Sequence, residues 1–148
     1  MYQHILIATD GSKTSAKAVA HGVNLAKTVG ARVTMVTVTE LWSALAMGAG
    51  IEAGLANPVA EYEQAVADSA RKTLDEAAAV AGKEGVACTT QHVPDRRPSE
   101  GIVEAAREKK CDLIVMGSHG RRGFNRLLLG SQASEVLTLS TVPVLVVR

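Results

Sequence analysis

The stretch His4-Ile5-Leu6-Ile7-Ala8-Thr9-Asp10-Gly11-Ser12 places a short run rich in Ile and Leu directly before a turn and a helix cap. His4 to Thr9 predicts a strand, and Asp10-Gly11-Ser12 are residue types that bend the chain and accept the first free N–H groups of a helix. From Ser12 to about Thr28 the small and apolar residues Ala16, Val19, Ala20, Val23 and Ala26 return at helical spacing, and Gly30 follows as a stop. A strand that turns straight into a capped helix is the first half of a βαβ unit.

The same alternation continues to the end of the chain. Arg32 to Thr39, with Val33, Met35 and the run Val36 to Val38, reads as a second strand buried on both faces. Leu41 to Pro58 is rich in Ala and Gly, carries the single Trp at Trp42, and reads as a mobile loop with one helical turn. Pro58 opens a long helix whose inner face is Tyr62, Val66, Ala70, Leu74, Ala77 and Ala81, ending in the Gly82 to Gly85 region before a third strand, Val86 to Val93. After the turn Pro94-Asp95-Arg96-Arg97-Pro98, Ser99 is expected to cap a helix that points Ile102, Val103 and Ala106 inward. Cys111 to Met116 is the fourth and most apolar strand, Ser131 to Leu139 a fourth helix, and Val142 to Val147 a fifth strand, with Pro143 where an edge tolerates a missing donor. Strands alternating with helices imply right-handed crossovers and a mostly parallel sheet covered on both faces, a doubly wound α/β three-layer sandwich.

Composition agrees with that class. The chain has 148 residues, within the roughly 100 to 200 of one domain, so a single domain over 1–148 is expected. Hydrophobic residues make up 47% but aromatic ones only 3%, so Val, Leu, Ile and Ala must build the core, as they do under parallel strands. Sixteen Lys and Arg against fifteen Asp and Glu leave a net charge of +1, too small a field to gather nucleic acid or an anionic membrane. The N-terminus has no basic leader and its apolar run is too short for a signal core or a membrane span, so a cytoplasmic protein is expected. Cys88 and Cys111 stand apart from each other and from any zinc-type spacing, and both read as small buried apolar residues.

In a sheet of this kind the ligand sits outside the C-terminal strand ends, where strand order reverses. The loops after the first and fourth strands are therefore the candidates. The second of these, Gly117-Ser118-His119-Gly120 onward to Gly130-Ser131, has the composition of a phosphate cradle. Its glycines can adopt φ > 0 and let backbone N–H groups approach an anion, while Gly130-Ser131 presents the free donors of a helix start.

The pattern Gly117-x-x-Gly120-x9-Gly130-Ser131 resembles the nucleotide signature of the universal stress protein family, with no departure at its fixed positions. Ile5 to Ser12 at one end and Val142 to Val147 at the other extend the resemblance over nearly the whole chain; only residues 41 to 58 are unsupported by it. The resemblance is to the ATP-binding branch, since the chain keeps both the glycines and the acidic residue, and the expected strand order is 3-2-1-4-5 in a Rossmann-like sheet. It implies that Asp10 hydrogen-bonds the ribose or adenine region, that backbone groups of Ala8 and Thr9 flank the base, and that Val38 packs against the ring. It also assigns the backbone of Gly117 and Gly120 and the Gly130-Ser131 helix start to ribose and phosphates, with Gln132 next in line, and Met116 is counted with the ATP-binding residues. ATP or another adenine nucleotide is the implied ligand, with Mg²⁺ or Mn²⁺ riding on the phosphates.

Other features carry less. His119 has no second ligand at metal spacing and reads as a solvent-exposed loop histidine. Arg121, Arg122 and Arg126 read equally well as phosphate contacts or as a solvated basic face. Gly48-x-Gly50-x-x-x-Gly54 opens no capped helix and is set aside as a dinucleotide loop, and neither a Walker A string nor a Gly-x-Ser-x-Gly elbow occurs. The function read from the sequence is thus a nucleotide-binding, stress-response regulatory module acting as a homodimer through its apolar terminal edge strand. The alternatives are a partner-binding dimer with a vestigial nucleotide site, and a slow ATPase.

Overall fold

In the computed structural model the described residues are 1–40, 48, 51–54, 56–121 and 128–148. Trp42 and most of the expected loop 41–58 lie outside them, as do Gly50, Arg122 and Arg126. The elements run β1 (His4–Ala8), α1 (Lys13–Val29), β2 (Arg32–Val38), α2 (Pro58–Lys83), β3 (Cys88–Val93), α3 (Pro98–Glu108), β4 (Leu113–Gly117), α4 (Ser131–Leu139) and β5 (Val144–Val147). The sheet order is β3-β2-β1-β4-β5, and each of these neighbours pairs in parallel. This is the expected order, and the sheet is parallel throughout.

Register sorts the apolar residues between two cores. Ile5 lies beside Val33 and Leu113, and Ile7 beside Met35 and Val115, so these side chains share the face covered by α1 and α2. The alternate residues Leu6, Ala8, Val36, Ile114 and Met116 share the opposite face with Ile102 and Ala105 of α3 and Ala133 and Val136 of α4. Strands sandwiched this way are mostly apolar, and the polar side chains of His4 and Thr34 buried among them hydrogen-bond each other at 2.8 Å.

Local rules place the helix ends. Ser12 caps α1 by accepting the Ser15 N–H, and Gly30 ends it at φ 71, a conformation only glycine adopts freely. α3 departs from expectation: Arg97 is its cap position and Pro98 its first residue, so Ser99 stands inside the helix rather than capping it. Proline has a helical φ and no N–H to leave unsatisfied, which makes it the natural first residue. In α2 the expected inner face is buried only from Ala70 onward, and Tyr62 and Val66 remain half-exposed. Pro143 precedes β5, and its carbonyl accepts the Ile114 N–H at 3.0 Å, so the ladder starts without a missing donor.

Cys111 is buried, and that burial pushes its thiol up to about 11. Cys88 is only half-buried on the edge strand β3, a correction to the expectation that both cysteines are enclosed. No helix among the described residues is long and apolar enough to cross a membrane.

On the first face α1 packs directly against β1 at Gly22. A Cβ there would lie 2.6 Å from Ile7 Cδ1 and 2.9 Å from Ile7 Cγ1, and Ile7 is fully buried with nowhere to move. Gly22→Val is expected to lower the unfolding free energy by roughly 1–3 kcal/mol through overpacking. Urea denaturation checks this, and an unchanged midpoint would contradict the close approach.

Candidate functional site

Strand order reverses between β1 and β4, and the chain leaves these two strands toward opposite faces of the sheet. A cleft is therefore built into the topology at their C-terminal ends. Just past the end of β1, the Thr9 N–H donates to Val36 O at 2.9 Å. The chain then turns through Gly11, at φ 79, into the Ser12 cap. β4 finishes with Gly117, and Ser118 N–H donates to Val147 O at 2.8 Å. Ser118 O accepts the Gly130 N–H at 2.8 Å and so closes the neck of the loop that leads to α4.

Asp10 joins the two strand ends. Its Oδ1 accepts the Ser12 N–H at 2.9 Å, and its Oδ2 accepts the Arg121 N–H at 2.9 Å across 111 residues of sequence. Arg121 Nε also donates to the Asp10 backbone carbonyl at 2.7 Å. Burial works to raise the Asp10 pKa, but bonds from Ser12, then Ser15 and the Arg121 N–H, outweigh it and hold the carboxyl below its ordinary 3.8. Arg121 is exposed, and through its N–H and Nε it also grips the turn after β1.

The glycines have a different rationale from the one expected. None of Gly117, Gly120 and Gly130 has a positive φ; each is needed for space. A Cβ on Gly120 would lie 2.9 Å from Asp10 Oδ2, one on Gly117 would lie 3.0 Å from Thr14 Cγ2, and one on Gly130 would lie 2.7 Å from Ser118 O. The spacing of the motif therefore records where the β4 loop touches the β1 turn, α1 and itself. These contacts bring a line of main-chain groups and the start of α4 to the end of the sheet. Helix starts leave N–H groups without intrahelical partners, which suits an anion.

The remaining expected residues fall into two sets. Gly120 and Ser131 are exposed and Asp10 and Gly130 half-buried, so these four face solvent at the strand ends. Ala8, Thr9 and Met116 are buried, and only their backbones can meet a ligand. Val38 is half-buried with its methyls toward α3, where a Cβ on Gly101 would meet them at 2.7 and 2.8 Å. Gln132 turns its side-chain oxygen to the Ser99 N–H at 2.9 Å. His119 is half-buried rather than solvent-exposed; its Nδ1 meets Ser118 Oγ at 3.0 Å, and Nε2 is enclosed with no partner among the described residues.

Sequence reasoning missed Ser15, Ser118 and the Arg121 grip. Ser15 at three residues from Ser12 is a readable cap partner, but the other two depend on folding. A shallow concavity of ≈ 470 Å³ beside the ends of β2 and β3 is lined by charged residues including Arg96 and Arg97. Those arginines already pair with Glu104 at 3.3 Å and Glu135 at 2.8 Å, so the strand-end cleft is the better site.

The whole chain, residues 1–148, matches the family described as the universal stress protein family. The universal stress protein YxiE of Bacillus subtilis is 35% identical, with all of both chains covered. Among solved structures, protein MJ0577 of Methanocaldococcus jannaschii superposes with a TM-score of 0.81 at 27% identity, covering 99% of this chain and 96% of that one. A universal stress protein solved in complex with cAMP superposes with a TM-score of 0.68 at 28% identity, covering 99% and 97%. The chain belongs to the universal stress protein family.

Asp10 titrates in a window set by its lowered folded value. Its hydrogen bonds favour the folded state above the ordinary pKa of 3.8, and that contribution is lost as pH falls from there through the folded value. The difference in urea midpoint between wild type and Asp10→Asn is therefore expected to be largest at neutral pH and to shrink below 3.8. A difference independent of pH would show that the carboxylate charge is not what holds the two loops.

Proposed function

For this universal stress protein we propose an adenine-nucleotide-binding regulatory module that takes ATP across the ends of β1 and β4. The observation that carries the reading is the bond between an ionised Asp10 and the Arg121 N–H in the glycine loop after β4, at the switch point. Asp10 binds the ribose or adenine side, with Ala8, Thr9 and Val38 around the base. Gly117, Gly120 and Gly130 let the main chain approach ribose and phosphates, and the helix start at Ser131 and Gln132 offers main-chain donors, over the floor made by Met116. The cAMP complex of a relative supports the adenine-nucleotide class. Among the described residues no three His, Cys, Asp or Glu gather to hold a metal, so Mg²⁺ or Mn²⁺ would come on the phosphates themselves.

Binding rather than turnover is the proposed activity. Phosphoryl transfer needs a positioned base or water-orienting group, and Asp10, the carboxylate the described residues bring to these strand ends, is held ionised by two backbone N–H groups and serves as a weak base. One observation favours a second reading, a partner-binding protein with a vestigial site: all three motif glycines are accounted for by contacts within the chain. Calorimetric titration separates the two. Wild type is expected to bind ATP saturably, and Gly120→Val, whose Cβ meets Asp10 Oδ2, to lose at least about tenfold in affinity. A folded wild-type protein, freed of copurified nucleotide, that binds no adenine nucleotide would establish the second reading instead.

The homodimer belongs to the same proposal. β5 ends the sheet, and Val144, Leu145, Val146 and Val147 are all half-exposed there. An apolar edge with open main-chain groups is an aggregation hazard unless it pairs, and a two-fold axis allows two copies to cover each other. Val144→Lys and Val146→Lys are expected to sediment as monomer where wild type sediments as dimer; an unchanged dimer would move the interface elsewhere.

A further inference from the structure

Ser99 is fully buried although it is the second residue of α3. Its N–H is the first donor of that helix, because Pro98 has none, and the cap residue Arg97 makes no side-chain bond to it. α4 supplies the missing partners. Gln132 Oε1 accepts from Ser99 N at 2.9 Å, and Glu135 Oε2 accepts from Ser99 Oγ at 2.6 Å. Glu135 Oε1 accepts from Arg97 Nη2 at 2.8 Å. Gln132 and Glu135 are three residues apart, on one face of α4, and both turn to the same serine.

Resting on the nucleotide reading above, we propose that Ser99, Gln132 and Glu135 are positioning residues for the phosphate end of the ligand. α4 has nine residues and no side-chain cap of its own, too short to hold its direction without tertiary contacts. Ala133 and Val136 fix one face against the sheet, and the Gly130 N–H fixes its start to Ser118 O. The bonds to Ser99 lock the remaining freedom, rotation about the helix axis and height above the sheet. That sets where the N–H groups of Ser131 and Gln132, the first two residues of the helix, point. The Arg97 partner also neutralises a carboxylate lying one turn inside the helix start, which would otherwise oppose phosphate. The base side of the cleft is built on the strands β1 and β2 and does not depend on this clasp.

The expected signature is a loss that depends on phosphate. Full-length wild type, Ser99→Ala and Gln132→Met are titrated with ATP and with adenosine. Each variant is expected to bind ATP about tenfold more weakly while adenosine affinity stays within about twofold, as for one lost buried hydrogen bond. The double variant is expected to lose less than the product of the two single losses, because both act through one helix. Gln132 is half-buried, and Gln132→Met is expected to keep the fold, which thermal unfolding checks. Equal losses for ATP and adenosine would reduce the clasp to general stability and overturn the inference, as would unchanged ATP affinity in the variants. Wild type that binds neither ligand would remove the nucleotide reading and this inference with it, an outcome distinct from normal wild-type binding with unaltered variants.

Discussion

The bond between the Asp10 carboxylate and the Arg121 N–H joins the turn after β1 to the loop after β4, two segments that the fold sends to opposite faces of the sheet. Without it the switch point is an open gap. With it the gap becomes a cleft with one charged wall and one wall of main-chain groups. A hydrogen bond to a charged group contributes about 1.5–3 kcal/mol, and Asp10 accepts from Ser12 as well as Arg121, which is why burial does not neutralise it. Gly120 follows from the same constraint, since a side chain there would displace the carboxylate.

The parallel sheet is what brings these groups into range. Register fixes Ile5 and Ile7 between Val33, Met35, Leu113 and Val115, so the ends of β1, β2 and β4 are aligned by buried side chains rather than by the loops themselves. Burial of those strands on both faces makes a slip costly, because shifting by one residue exchanges the contents of the two cores. The two strand ends are thus held by the buried sheet. α4, short and at the outer rim, is the one wall that needs added restraint, and α3 provides it through Ser99.

Much of the architecture was legible because it rests on local signals. The apolar runs of β1, β2 and β4, the Ser12 cap, the Gly30 stop and the order of the strands all follow from periodicity, punctuation and family resemblance. Ser99 was misplaced because its residue type suits a cap as well as a helix interior, and only Pro98 at the first position decides between them. The motif glycines were legible as positions but not as reasons. Their spacing points to backbone freedom around an anion, whereas the folded chain uses them for close approach to Asp10, Thr14 and Ser118. Arg121 was unreadable in principle, since its partner is 111 residues away and lies in another loop. The same holds for Gln132 and Glu135, whose helical pattern says which face they share but not that Ser99 lies opposite.

The central claim is that an adenine nucleotide lies across the ends of β1 and β4. Backbone amide spectra of isotope-labelled protein titrated with ATP test it residue by residue. The amides of Asp10, Gly117, Gly120, Ser131 and Gln132 are expected to shift together with one saturation curve, while those of the sheet away from these strand ends stay in place. Shifts confined to the β5 edge or the Arg96 and Arg97 concavity, or no shifts at all, would contradict it.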